Sequence, residues 1–114
     1  KNVAETTACN IFWIKDKTIY TPKTHSILDG ITRQAVIKIA KKCKIKVKTG
    51  DYKLNELLNA DTVFLTGTAA EIQLVGKIKN KKFIIKNIIL DKIKKEFQNN
   101  IQKHYRQLML HLSQ

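Results

Sequence analysis

Acid is scarce in this sequence. Nine aspartates and glutamates stand against 22 lysines and arginines, a formal net charge of +13 over 114 residues. Such an excess points to nucleic acid, an anionic membrane or a phosphorylated ligand. Arginine is scarcer still: Arg33 and Arg106 are the only two, and every other basic residue is lysine. Arginine is the usual reader of guanine edges. Its scarcity weighs against a nucleic-acid binder and favours a lysine-rich solvated surface. No apolar run reaches the length of a membrane span, and no signal-peptide pattern opens the chain. The two cysteines, Cys9 and Cys43, have neither CxxC nor metal spacing, which suits free thiols in a reducing, cytoplasmic setting. The sequence opens on Lys1 rather than methionine and reads as a piece of a longer protein, or as a unit cut at a domain boundary.

Familiar catalytic signatures are missing as well. There is no GxGxxG, P-loop, HExxH or nucleophile elbow. His25, His104 and His111 are isolated. The last two share a helix face, but no cysteine or carboxylate cluster stands beside them, so no metal site is expected.

What remains is an ordinary globular mix, 43% hydrophobic and 27% charged, in one domain's length. A core that buries roughly two thirds of the unfolded surface is within reach. Val3–Glu5 can form a short strand. Asn10–Ile14 is an apolar strand, Lys15–Lys17 a polar turn, and Thr18–Tyr20 the returning strand of a hairpin ended by Pro22. Asp29–Gly30 opens a helix whose apolar face is Ile31, Ala35, Val36, Ile39, Ala40 and Cys43. Ile45 and Val47 alternate with lysines as in a half-buried strand. A short helix carries Leu54, Leu57 and Leu58 and stops near Asn59. Thr62–Leu65 is a buried strand. Glu71–Val75 and Lys82–Ile85 suggest two more strands. A long final helix repeats Ile89, Ile93, Phe97, Ile101, Tyr105, Leu108 and Leu112, with Lys92, Lys94, Lys95 and Glu96 outside. Strands and helices in this order predict an α/β or α+β domain.

Three places can carry chemistry. At Asp29–Arg33 a glycine precedes a helix start. The first helical amides have no partner within the helix, and the dipole is positive there. The N–H groups of Ile31 and Thr32, with the Thr32 hydroxyl, can hold a phosphate; an ordinary capped helix is the simpler reading of the spacing alone. At Thr66–Glu71 a buried strand runs into Gly67 and small residues, whose amides can bind a phosphate or a carboxylate at the sheet's carboxyl end. A plain turn fits that spacing equally well. Glu5, before an apolar strand, can pair with a ligand cation or stand as a solvated edge residue.

In this order the segments resemble the class IV PLP-dependent aminotransferases of branched-chain type. Glu5-Thr6-Thr7-Ala8-Cys9-Asn10-Ile11-Phe12 resembles that family's E-x-x-x-x-N-h-F, with h aliphatic. Leu28-Asp29-Gly30-Ile31-Thr32-Arg33 resembles its L-P-G-I-T-R, with Asp29 in place of proline. Phe64 to Ile72 resembles its F-x-S-G-T-A-A-E-h. The match runs from about Val3 to Ile72.

The resemblance implies the α/β C-terminal domain of the class IV fold, a mixed sheet with flanking helices and a long C-terminal helix, spanning 1–114 as one domain. It implies pyridoxal 5′-phosphate as cofactor. Glu5 would hold the pyridine nitrogen protonated. Ile31, Thr32 and Thr68 would bind the phosphate. Gly67, Thr68 and Ala69 would present amides to the substrate carboxylate. The family's Schiff-base lysine and N-terminal domain lie upstream of the Glu5 strand. Lys1 is four residues from Glu5 and is not cast in that role, so no catalytic residue is expected in this segment, which alone is expected to be inactive. The implied activity is transamination between a branched-chain amino acid and a 2-oxo acid in a full-length, homodimeric enzyme. Thr6-Thr7-Ala8-Cys9 leans instead to the aminodeoxychorismate lyase branch, and a D-amino acid transaminase is a further alternative. A folded but non-catalytic remnant or partner domain is the reading of another class.

Overall fold

A computed structural model describes residues 10–23, 31–66 and 72–112. The elements run β1 (Asn10–Lys15), β2 (Thr18–Pro22), α1 (Ile31–Lys42), β3 (Lys46–Gly50), α2 (Leu54–Leu58), β4 (Thr62–Thr66), β5 (Ile72–Val75), β6 (Lys77–Ile78), β7 (Lys81–Lys82) and α3 (Ile88–Leu112). The expected Val3–Glu5 strand lies outside the described residues.

β1 and β2 form the hairpin that the apolar run Asn10–Ile14, the polar turn after it and the return at Thr18–Tyr20 predict. Its loop is two residues long, since Lys15 pairs with Thr18. Asp16 and Lys17 have φ of 51° and 63°. Two left-handed residues in a two-residue loop match the right-handed twist of the strands. β2 and β3 are parallel. Parallel neighbours need a crossover, and α1 supplies it. β1 pairs antiparallel with β4, and β4 with β5, giving the sheet order β3-β2-β1-β4-β5. This is the mixed sheet with flanking helices expected for the fold class.

Side chains alternate across a strand, and β1 is buried on both sides. Phe12 and Ile14 face α1 and α3, packing with Ile19, Val36, Ile39, Ala40, Phe64, Leu90, Ile93 and Phe97. The Phe12 and Phe64 rings stack with centroids 5.0 Å apart. Ile11 and Trp13 face the other way, onto Leu57, Ala60, Val63 and Phe83. Trp13, Tyr20 and Tyr52 meet on that second side, Tyr52 edge-on to both neighbours.

α1 ends in a left-handed cap. Ile45 N–H donates to Ala40 O at 2.8 Å and Lys44 N–H to Lys41 O at 3.0 Å. Those are the two bonds of a Schellman motif, and Lys44, at φ 60°, stands where glycine is usual.

One expectation needs correction. Lys82–Ile85 is not a strand: Lys77 and Ile78 pair instead with Lys82 and Lys81 in a short separate hairpin. Phe83 then turns into the core, and Ile84 N–H reaches Asp61 O at 2.8 Å. Anchored there, the apolar run leaves Ile84 and Ile85 exposed. Among the described side chains of the α3 stripe, those of the first turns pack inward and the one at its end stands out. Leu90, Ile93 and Phe97 are in the core, whereas Leu112 is 69% exposed. A 25-residue helix is about 37 Å long. Strands of four to six residues reach roughly 20 Å at most, so α3 outruns the sheet. Among the described residues no helix is long and apolar enough to cross a membrane.

Candidate functional site

Strand direction decides where the functional segments meet. β2 and β4 both run antiparallel to β1, and β3 runs parallel to β2. The carboxyl ends of β2, β3 and β4, at Pro22, Gly50 and Thr66, therefore lie at one end of the sheet. The start of β1 is there too, since Asn10 stands opposite Thr66. Lys23 N–H closes β2 onto β3 by donating to Gly50 O at 2.8 Å.

α1 begins at this same end. The Arg33 guanidinium donates from Nη2 to Pro22 O at 3.1 Å, tying the first turn of the helix to the end of β2. Thr32 and Arg33 are both buried. The first turn holds no acid. A buried cation beside the positive end of a helix is the reverse of what a helix start prefers. An anion at this end would be stabilised by both.

Threonines of the sheet supply a second observation. Thr21 Oγ1 donates to Ile11 O at 2.8 Å, and Thr62 Oγ1 accepts from Asn87 Nδ2 at 3.1 Å. Thr66 is 1% exposed, and its Oγ1 has no hydrogen-bond partner among the described residues. It lies on the face of Phe64 and of its register partner Ile72, which pack toward α1 and α3. So an orphaned hydroxyl and the α1 start occupy the same end and the same face of the sheet. Buried polar groups are rarely left unpaired, and an unmatched one calls for an explanation such as a ligand. The donor set is neutral hydroxyls, helix amides and one buried cation, which suits a phosphate ester.

Of the residues singled out from sequence, Ile31 and Thr32 begin α1 at this end. Glu5, Gly67, Thr68 and Ala69 lie outside the described residues; Gly67 follows Thr66 in the chain. Arg33 and Thr66 fall inside the two segments singled out from sequence, but neither was given a role of its own there. An arginine in a helix's first turn, against the dipole, was the available signal for Arg33. For Thr66 it was the Thr62, Phe64, Thr66 alternation at a strand end.

Comparison with known proteins agrees with this geometry. The family model for amino-transferase class IV matches residues 1–78. A probable branched-chain-amino-acid aminotransferase of Rickettsia felis is 45% identical over 98 residues, covering 83% of this chain and 34% of that protein. A provisionally named 4-amino-4-deoxychorismate lyase from Legionella pneumophila superposes with a TM-score of 0.75 at 30% identity, covering 80% of this chain and 34% of that one. A T.th. branched-chain amino acid aminotransferase with pyridoxamine 5′-phosphate superposes at 0.65 with 36% identity, covering 75% of this chain and 30% of that one. The chain thus spans about a third of the length of the relatives it matches. With the family model covering most of its length, and with the mixed sheet and helix start in place, this chain belongs to the class IV aminotransferases.

Proposed function

We propose that this chain is the C-terminal, cofactor-holding part of a pyridoxal 5′-phosphate enzyme that moves the amino group of a branched-chain or similar amino acid to a 2-oxo acid. The observation that carries the reading is the meeting, at one sheet end and on one face, of the α1 start and the orphaned Thr66 hydroxyl. The relative with pyridoxamine 5′-phosphate supports the choice of ligand.

On this reading the amides of Ile31 and Thr32, with the hydroxyls of Thr32 and Thr68, hold the phosphate. Glu5 faces the pyridine nitrogen and keeps its proton in place. The turn amides of Gly67, Thr68 and Ala69 orient the substrate carboxylate. The cofactor, when bound, supplies a protonated ring that takes up the electron pair left as the substrate's α C–H bond breaks. The lysine that anchors the cofactor and moves the proton is assigned to residues beyond this segment, in a homodimeric full-length enzyme.

A second reading is cleavage of 4-amino-4-deoxychorismate, favoured by Thr6-Thr7-Ala8-Cys9 and by the Legionella neighbour. The full-length protein carrying this segment separates the two. We expect it to bind the cofactor and to transfer the amino group of leucine to 2-oxoglutarate. Cleavage of 4-amino-4-deoxychorismate without that transfer would replace the first reading by the second. Failure to bind the cofactor would end both.

A further inference from the structure

Between β5 and α3 the chain carries a surface that neither the core nor the candidate site uses. From Lys77 to Ile88 there are five lysines, Lys77, Lys79, Lys81, Lys82 and Lys86, and no acid or arginine. All five lysines are exposed. Ile84, Ile85 and Ile88 stand among them at 57%, 62% and 79% exposure.

The segment is anchored at both ends. β6 and β7 pair with each other, Phe83 N–H donates to Gly76 O at 2.9 Å, and Ile84 N–H donates to Asp61 O at 2.8 Å. Phe83 is buried, with Ile78 packed against the same cluster. Further on, Asn87 caps α3 and Leu90 enters the core. Phe83 and Leu90 thus take the inward places, and the isoleucines are left facing out.

Lysine density alone would say little. Lys41, Lys42, Lys44, Lys46 and Lys48 stand as close together, but Cys43, Ile45 and Val47 between them pack against the core. Charge on that edge strand serves to keep other strands off. Around Lys86 the isoleucines have no such inward place.

Cations beside exposed aliphatic carbon fit a surface that is anionic outside and hydrocarbon just beneath, which is the interface of an anionic bilayer. A nucleic acid is met by arginine and by aromatic rings. This segment has no arginine, and its one ring, Phe83, is buried. Protein interfaces are rich in arginine and poor in lysine. The rest of the same protein would have to bury lysines, which are almost never fully buried without partners. Asp61, the acid that carries Ile84, is already paired with Lys15 at 3.6 Å. A second copy would bring the same charges to meet these.

We propose that the β6–β7 hairpin and the Phe83–Ile88 segment dock the protein reversibly on an anionic lipid surface. The lysines lie over the head groups, and Ile84, Ile85 and Ile88 enter the upper acyl region.

The test uses the full-length protein carrying this segment and two kinds of vesicle: phosphatidylcholine alone, and phosphatidylcholine with phosphatidylserine at two to one. Cosedimentation measures binding, and thermal stability is measured without lipid. The protein is expected to bind the mixed vesicles, at least about tenfold more tightly than phosphatidylcholine alone, and to weaken as salt rises. Replacing three lysines together, Lys77→Gln, Lys81→Gln and Lys82→Gln, should weaken binding roughly a hundredfold, about fivefold for each charge. Ile84→Ser with Ile85→Ser should weaken it by about tenfold or more and leave the melting temperature unchanged. If the parent protein ignores the mixed vesicles, or binds duplex DNA more tightly than it binds them, the proposal is overturned. An isoleucine or lysine variant that binds lipid as the parent does overturns it too, since both kinds of side chain are required. A lower melting temperature for the isoleucine variant would assign those side chains to the rest of the protein, and the lipid surface would lose its apolar half.

Discussion

Asn87 ties the start of α3 to the start of β4: its side-chain amide donates to Thr62 Oγ1 at 3.1 Å, while its carbonyl oxygen accepts from the amides of Ile89 at 2.9 Å and Leu90 at 3.3 Å. One side chain thus caps the long helix and satisfies a hydroxyl that is fully buried. Asn87→Ala should lower stability by about 2–3 kcal/mol, part from the lost cap and part from the orphaned Thr62 hydroxyl. Asn87→Asp keeps the cap acceptor, and a negative charge suits the helix start, so it should lose less. Chemical denaturation of the three proteins checks the order. Equal losses for Ala and Asp would show that the cap contributes nothing.

Lys44 holds φ of 60° in the cap of α1, where a Cβ is strained. Lys44 is exposed, so nothing packed is lost on replacement. Lys44→Gly should raise stability by about 0.5–1 kcal/mol, the relief of strain exceeding the added freedom of the unfolded chain. A small rise in melting temperature is the readout. A fall would mean that the lysine side chain contributes more than its backbone costs.

Burial pushes the Tyr52 phenol above its ordinary value of 10.0, and the charges of Tyr20 and Glu56 add to the rise. A group whose folded value is raised contributes stability that is complete below the unfolded value and is lost as pH climbs through the folded one. The fold should therefore lose stability above about pH 10, and Tyr52→Phe should lose less over the same window. Stability of both proteins against pH, with the phenolate absorbance of each, decides the matter. Parallel curves would remove Tyr52 as the cause.

Thr32→Ala and Thr68→Ala in the full-length enzyme should each weaken cofactor binding by roughly tenfold, and the double variant should lose less than the product of the two. Both hydroxyls are assigned to one phosphate, so each loss changes what the other can contribute. Strict additivity would place them on separate ligands.

Much of the fold was legible because it follows local rules. The apolar run Asn10–Ile14 with its polar turn and returning strand marked the hairpin, and the spacing of Val36, Ile39 and Ala40 marked the face of α1 that enters the core. The final helix was legible for the same reason, as was the stop of α2 near Asn59. Lys82–Ile85 misled because a short apolar run has no period of its own. Whether it pairs, or is pinned by Asp61 as Ile84 is, depends on a residue more than twenty positions away.

Sequence by itself determined the ordered motifs, and with them the family and the likeness of the α1 start to an anion site. Those properties live within a few residues: a helix's first amides lack partners wherever the helix stands. Only the tertiary structure decided that α1 starts at the end of the sheet where β4 stops, because that needs the directions of β1, β2 and β4 together. It alone decided, too, that among the described residues Thr21 and Thr62 find partners and Thr66 does not. A threonine's spacing says which face it joins. Whether its hydroxyl is matched depends on which distant atoms the packing brings within about 3 Å.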